Sequence, residues 1–107
     1  MVKEEVRRLI EIYKNNNSVI IKGHANYNPG NDIVCSAVST LTFTLIGSLT
    51  EFNIKHETSL DVKGVSTIQI FEKNKTEKMQ KDIILKIVFN GLQQIADKYP
   101  LNVKILS

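Results

Sequence analysis

DIVCSAVSTLTFTLIGSL, residues 32–49, is the most apolar stretch of the chain, and its reading decides the fold. Apolar residues at 34, 37, 38, 41, 45 and 49 recur at the spacing of a helix with one covered face. Asp32 stands directly before them, where a carboxylate accepts from N–H groups that a first turn leaves without partners. The spacing therefore predicts a helix that begins right after Asp32, with Cys35 in its first turn. Ser, Thr and Gly interrupt the run and Asp32 borders it, so it is read as falling short of a membrane span.

On the N-terminal side, LIEIYK (residues 9–14) alternates apolar and polar side chains. NNNS separates it from a second apolar run, VIIKG (19–23), in the pattern of a β-hairpin. The segment ANYNPGN (25–31) has turn chemistry and no periodicity, and is expected to be a loop. Beyond the helix, EFNIKHET (51–58) and VSTIQIF (65–71) alternate around a turn at Lys63 and Gly64, which predicts a second antiparallel pair. From Thr76 the period changes. Ile83, Ile84, Ile87, Val88, Leu92, Ile95, Ala96 and Tyr99 form the stripe of a second helix, which Pro100 stops. A last strand, NVKIL (102–106), completes the order ββαββαβ. Two one-sided helices and five one-sided strands pack most simply as α+β, two helices on a mostly antiparallel sheet.

A chain of 107 residues encloses one hydrophobic core, so residues 1–107 are expected to form a single domain. The 42% hydrophobic and 23% charged fractions are those of an ordinary globular protein. The formal charge of +3 comes from Lys and Arg scattered along the chain, which is poor material for a phosphate-tracking face, and no direct nucleic-acid contact is expected. One cysteine excludes an internal disulfide, and no apolar segment follows the charged start MVKEEVRR, so a cytoplasmic location without membrane attachment is expected.

Chemistry concentrates in GHANYNPGNDIVCSAVS, residues 23–39. In a first helical turn, unpaired N–H groups and the helix dipole favour negative charge, and so the thiolate of Cys35. His24 ends the second strand, and the loop between them allows the imidazole to return beside the thiol. Such a pair performs nucleophilic acyl transfer: the imidazole takes the thiol proton, the thiolate attacks, and the imidazolium protonates the leaving amine. The N–H groups of the same turn, that of Cys35 included, are candidates to hold the oxyanion. Against this stands the plainer reading of Cys35 as a small buried apolar residue and of His24 as structural.

The same segment resembles the signature of the ribosomal-processing cysteine protease family Prp. The resemblance rests on Gly23, His24, Ala25, Gly30, Asp32, Ile33, Val34, Cys35, Ala37, Val38 and Ser39, and on the order of elements from about residue 9 to the end. Ser36 departs from the alanine more usual after the cysteine, and residues 1–8 lie before the expected start of the likeness and are given no role. The resemblance implies an endopeptidase that removes the N-terminal extension of a large-subunit ribosomal protein before ribosome assembly. It further implies a homodimer with neither metal nor organic cofactor, in which His24 and Cys35 are the catalytic dyad. The loop of Ala25, Asn26, Tyr27, Asn28, Pro29, Gly30 and Asn31 would close over the peptide, with Gly30 as its hinge.

Asp32 is a candidate third member that orients His24, although capping explains its position. Ser39, four residues after Cys35, is either a hydrogen-bonding neighbour of the thiolate or a packing residue. His56 shares its expected strand face with Phe52 and Ile54 and is read as structural. Two other functions stay open: a non-enzymatic α+β module that binds ribosome or RNA, which no RNP-like or GxxG pattern supports, and a protease acting on a phage capsid precursor.

Overall fold

A computed structural model describes residues 9–24, 32–61 and 64–106. Their elements follow the expected order: β1 (Ile10–Lys14), β2 (Ser18–Lys22), α1 (Ile33–Glu51), β3 (Lys55–Leu60), β4 (Val65–Phe71), α2 (Lys75–Lys98) and β5 (Val103–Ile105). The strands form one sheet in the order β3-β4-β2-β1-β5, antiparallel except for the parallel β1–β5 pair at one edge.

The register explains which strand residues reach the core. Ile12 lies opposite Ile21, Ile21 opposite Ser66, and Ser66 opposite Leu60, so these four share one face of the sheet. Val19 and Ile68 form the next row on that face, and His56 and Ile70 the one beyond. Ile10, Ile12, Val19, Ile68, Ile70 and Val103 are buried there against Val34, Val38, Leu45 and Leu49 of α1 and Ile84, Leu85, Val88 and Leu92 of α2.

Helix α1 carries four threonines that would otherwise compete with its backbone. Thr40, Thr42, Thr44 and Thr50 instead turn their hydroxyls back onto the carbonyls four residues earlier, at 2.7–3.1 Å. By length and composition α1 is long and apolar enough to cross a membrane, a point on which the sequence reading falls short. In the fold, its buried face packs on the sheet and on α2. The two helices approach closely where Gly91 faces Leu41, since a Cβ at Gly91 would stand 2.9 Å from a Leu41 methyl group.

Two expectations are corrected. The alternation in 51–58 does not mark a strand from residue 51, because α1 runs to Glu51 and ends in a Schellman motif. Asn53 takes the left-handed conformation (φ 58°) and donates to Thr50 O at 3.0 Å, while Ile54 N donates to Leu49 O at 2.9 Å and both apolar side chains are buried. Phe52 is consequently exposed at the helix end, and β3 starts only at Lys55. In α2, Ile83 and Ile87 face outward, 52% and 66% exposed, while Leu85 and Phe89 join the buried face. Their i, i+4 spacing is as regular as that of the buried stripe, so periodicity alone did not tell the two faces apart.

The NNNS turn is held at a distance by α2. Asn15 Oδ1 accepts from Asn17 N and Ser18 N at 2.9 Å and from Ser18 Oγ at 3.0 Å. Lys81, only 1% exposed, donates from Nζ to Asn16 O at 2.6 Å and pairs with Glu72 at 3.5 Å and Asp82 at 3.4 Å. Asn17 Nδ2 completes the network by donating to Glu72 Oε1 and to Ile70 O. A backbone hydrogen bond, then the Lys81 charge and the Asn17 amide, hold the Glu72 carboxyl below its ordinary 4.5, while burial opposes them.

Breaking this network from the lysine side leaves a carboxylate and a carbonyl without their cation. Lys81→Met is therefore expected to cost about 3 kcal/mol in denaturant unfolding. Because the Glu72 value is depressed on folding, its contribution is complete above pH 4.5 and lost as pH falls through the lowered value. The stability gap between the unmodified chain and Glu72→Gln should accordingly be present at pH 7 and vanish in acid; a gap that persists at pH 2 would contradict this assignment.

Candidate active site

The two ends of the chemistry-bearing segment are fixed by local devices. At one end β2 stops at Lys22 and Gly23 takes φ +94°, a conformation that L side chains rarely adopt. A Cβ at Gly23 would also fall far inside contact distance of the Leu9 carbonyl oxygen. Only glycine lets the chain leave the sheet so close to β1, and this turn aims the next residue, His24.

At the other end Asp32 is extended (φ −96°, ψ 103°), and its Oδ1 accepts from Val34 N and Cys35 N, both at 3.0 Å. Asp32 O accepts from Ser36 N at 3.1 Å. The cap places Cys35 in the first turn, as the spacing predicts. It also engages the Cys35 N–H, so that group, expected to be available for an oxyanion, already has an acceptor.

His24 and Cys35 line the same groove, of about 280 Å³, between α1 and the sheet. Cys35 is half-buried, not sealed in the core, and His24 is exposed. Ile10, Ile21 and Val38 make the groove apolar beside the thiol, and Ser39, Thr42 and Ser66 supply hydroxyls. Gly64, in the β3–β4 turn (φ +81°), approaches His24 so closely that a Cβ there would stand 3.7 Å from Nε2. The turn is closed by Gly64 N to Asp61 O at 3.2 Å and Val65 N to Asp61 Oδ1 at 3.0 Å.

Of the residues singled out in the sequence, the fold brings His24, Cys35 and Ser39 to one groove, while Asp32 lies at the helix end as its cap. The loop residues 25–31 lie outside the described residues. His56 stands apart, with Nδ1 2.9 Å from Ile54 O and Nε2 3.4 Å from Thr50 Oγ1, which places it at the C-terminal end of α1 in a structural role. Thr42, Phe43, Leu60, Gly64 and Ser66 were not singled out. Only the i, i+4, i+8 relation of Cys35, Ser39 and Phe43 hinted at one of them.

A half-buried cysteine in a capped first turn, sharing an apolar groove with a histidine, has the parts of a thiol hydrolase. The family described as Cysteine protease Prp matches residues 1–104. This chain belongs to the Prp cysteine protease family. The Prp match starts at residue 1, so the likeness includes the eight residues that the sequence reading set outside it.

Solved structures agree with the Prp assignment. An essential ribosomal processing protease Prp from Staphylococcus aureus, in complex with a covalently linked product peptide, is 25% identical with a TM-score of 0.74, over 91% of this chain and 95% of that one. A second structure of an S. aureus Prp, with a substrate peptide, is 23% identical with a TM-score of 0.71, over 92% and 96%. SMU.848 from Streptococcus mutans has the same fold at 23% identity and a TM-score of 0.75, over 92% of each chain. No curated protein matches.

Gly23→Ala tests the device that aims the histidine. Its Cβ meets backbone in a left-handed conformation, so the substitution should destabilise by at least about 1–2 kcal/mol. It should also lower peptide hydrolysis more than tenfold at temperatures where circular dichroism shows the chain folded. Full activity in a folded Gly23→Ala protein would show that the turn does not position His24.

Proposed function

We propose that this protein removes the N-terminal extension of a large-subunit ribosomal protein before ribosome assembly, with His24 and Cys35 as its catalytic dyad. The observation that carries the reading is the convergence of the two residues on one groove in a Prp family member, the thiol held half-buried in a capped first turn. His24 takes the thiol proton as the Cys35 thiolate attacks the scissile carbonyl carbon. The tetrahedral intermediate collapses to a thioester as the C–N bond breaks and the imidazolium protonates the leaving amine. Water, giving its proton to His24, then attacks the thioester carbonyl, releasing the acid and restoring the Cys35 thiol. The likeness to the S. aureus protein with a covalently linked product peptide supports a peptide substrate joined to the enzyme during turnover.

Asp32 serves chiefly as the cap that places the thiol, since one of its carboxylate oxygens already accepts two backbone N–H groups. Ser39 supports the site from the next helical turn, within the groove. Residues 25–31 form the substrate loop, the protein acts in the cytoplasm as a single domain, and it works as a homodimer. Exposed Phe52, Ile83 and Ile87, which line an apolar groove between α1 and α2, favour self-association.

Incubation with a large-subunit ribosomal precursor, read by intact mass, tests the reaction. The unmodified chain should remove the extension, Cys35→Ala and His24→Ala should each reduce the rate by at least a thousandfold while staying folded, and Asp32→Asn, which keeps a capping oxygen, should retain most of it. An uncut ribosomal precursor alongside a cleaved phage capsid precursor would replace the substrate; removal by Cys35→Ala would end the dyad assignment. Separately, light scattering should give twice the chain mass of 12.1 kDa, and a monomer at working concentration would refute the dimer.

A further inference from the structure

The row Ile12–Ile21–Ser66–Leu60 crosses the sheet on the side that the helices cover, yet its two ends differ completely. Ile12 is fully buried, whereas Leu60, on edge strand β3, is 74% exposed. An apolar side chain on the covered face of the sheet is thus left uncovered at the β3 edge. Phe43 of α1 is also exposed, at 69%, on the same helical face as Cys35 and Ser39. Phe43 and Leu60 both line the groove that holds His24 and Cys35. Neither has a packing reason to be apolar, since both are largely outside the core.

We infer that Phe43 and Leu60 form a clamp for an apolar side chain of the substrate peptide, remote from the scissile bond. The eight residues from Cys35 to Phe43 span about 12 Å along the helix. An extended peptide advances about 3.3–3.6 Å per residue, so the clamped side chain is three or four residues from the bond that is cut. Along the same groove Ser66 offers a hydroxyl to the peptide backbone, and Thr42 Oγ1, which donates to Val38 O, is left able to accept from it. The occupant is a peptide because the clamp is continuous with the thiol site. It is apolar because the walls at this end present Leu and Phe, with no charged group among the described residues that line the groove there. The inference rests on the protease reading and adds a determinant of specificity to it.

The test uses a defined mixture of synthetic tetradecapeptides of diverse sequence, with cut sites read by mass spectrometry and aligned on the scissile bond. Leu, Ile, Met or Phe should be enriched three or four residues from the bond with the unmodified chain. The double variant Phe43→Ala/Leu60→Ala should lose that enrichment about tenfold while preferences next to the bond remain. Both positions are exposed, so the variant keeps its fold. An enrichment that survives in the double variant, or none at that distance, overturns the clamp and leaves the protease reading intact. A double variant whose mass by light scattering has halved would overturn it too, by assigning the pair to a self-interface. If the unmodified chain cuts nothing, the protease reading fails, and immobilised Cys35→Ala protein decides the clamp alone. Capture of apolar peptides from the same mixture that depends on Phe43 and Leu60 supports it, and capture indifferent to them rejects it.

Discussion

One carboxylate oxygen decides where helix α1, and with it the candidate nucleophile Cys35, begins. Asp32 Oδ1 accepts from two successive N–H groups of α1, and so determines which residue begins the helix and which occupy its first turn. The cap fixes where α1 begins, while burial of Val34, Val38, Leu45 and Leu49 fixes how its faces are turned, and together they set Cys35 in the first turn beside the groove. The cap has a chemical cost as well as a geometric benefit. The same N–H groups that stabilise the helix end are those an oxyanion would seek, and in this structure Asp32 engages two of them.

The histidine is aimed by a different kind of constraint. Gly23 sits where β2 leaves the sheet, pressed against the Leu9 carbonyl in a conformation closed to other residues, and Gly64 comes close to the imidazole from the β3–β4 turn. Both glycines act through what they lack. Rigid sheet on one side and a capped helix on the other let two residues eleven positions apart converge on one groove. That arrangement is the fold's contribution to the proposed dyad, which would use a thiol and a base on one groove.

Away from the site, the hairpin that carries β1 and β2 is anchored by a lysine placed where lysines are seldom found. Lys81 is tolerated because Asn16, Glu72 and Asp82 supply oxygen to its ammonium, and removing water from it without them would be prohibitive. The network ties the turn between β1 and β2 to α2, and thereby steadies the strand whose end presents His24. No periodicity announces such a residue. Within the stripe of α2 a lysine reads as solvent-facing, and only the polar turn packed above it makes burial affordable.

The local devices of this protein were open to reading in its sequence: the Asp32 cap, the period of α1, the turn chemistry of NNNS, the stop at Pro100 and the place of Cys35 in a first turn. Each depends on neighbours within about one helical turn, and short-range sterics and hydrogen bonding are written in adjacent residues. The signature from Gly23 to Ser39 carried the family as well. Asn53 at the end of α1 was available as a signal, followed as it is by an apolar residue, but its alternation with Phe52 and Ile54 imitated a strand. Only tertiary structure decided which face of α2 is buried, that Lys81 is enclosed, and that Phe43 and Leu60 line one groove with His24 and Cys35. Those facts depend on which surfaces remain after the sheet and both helices have packed, and residues brought together from opposite ends of a fold leave no spacing in the chain by which to recognise them.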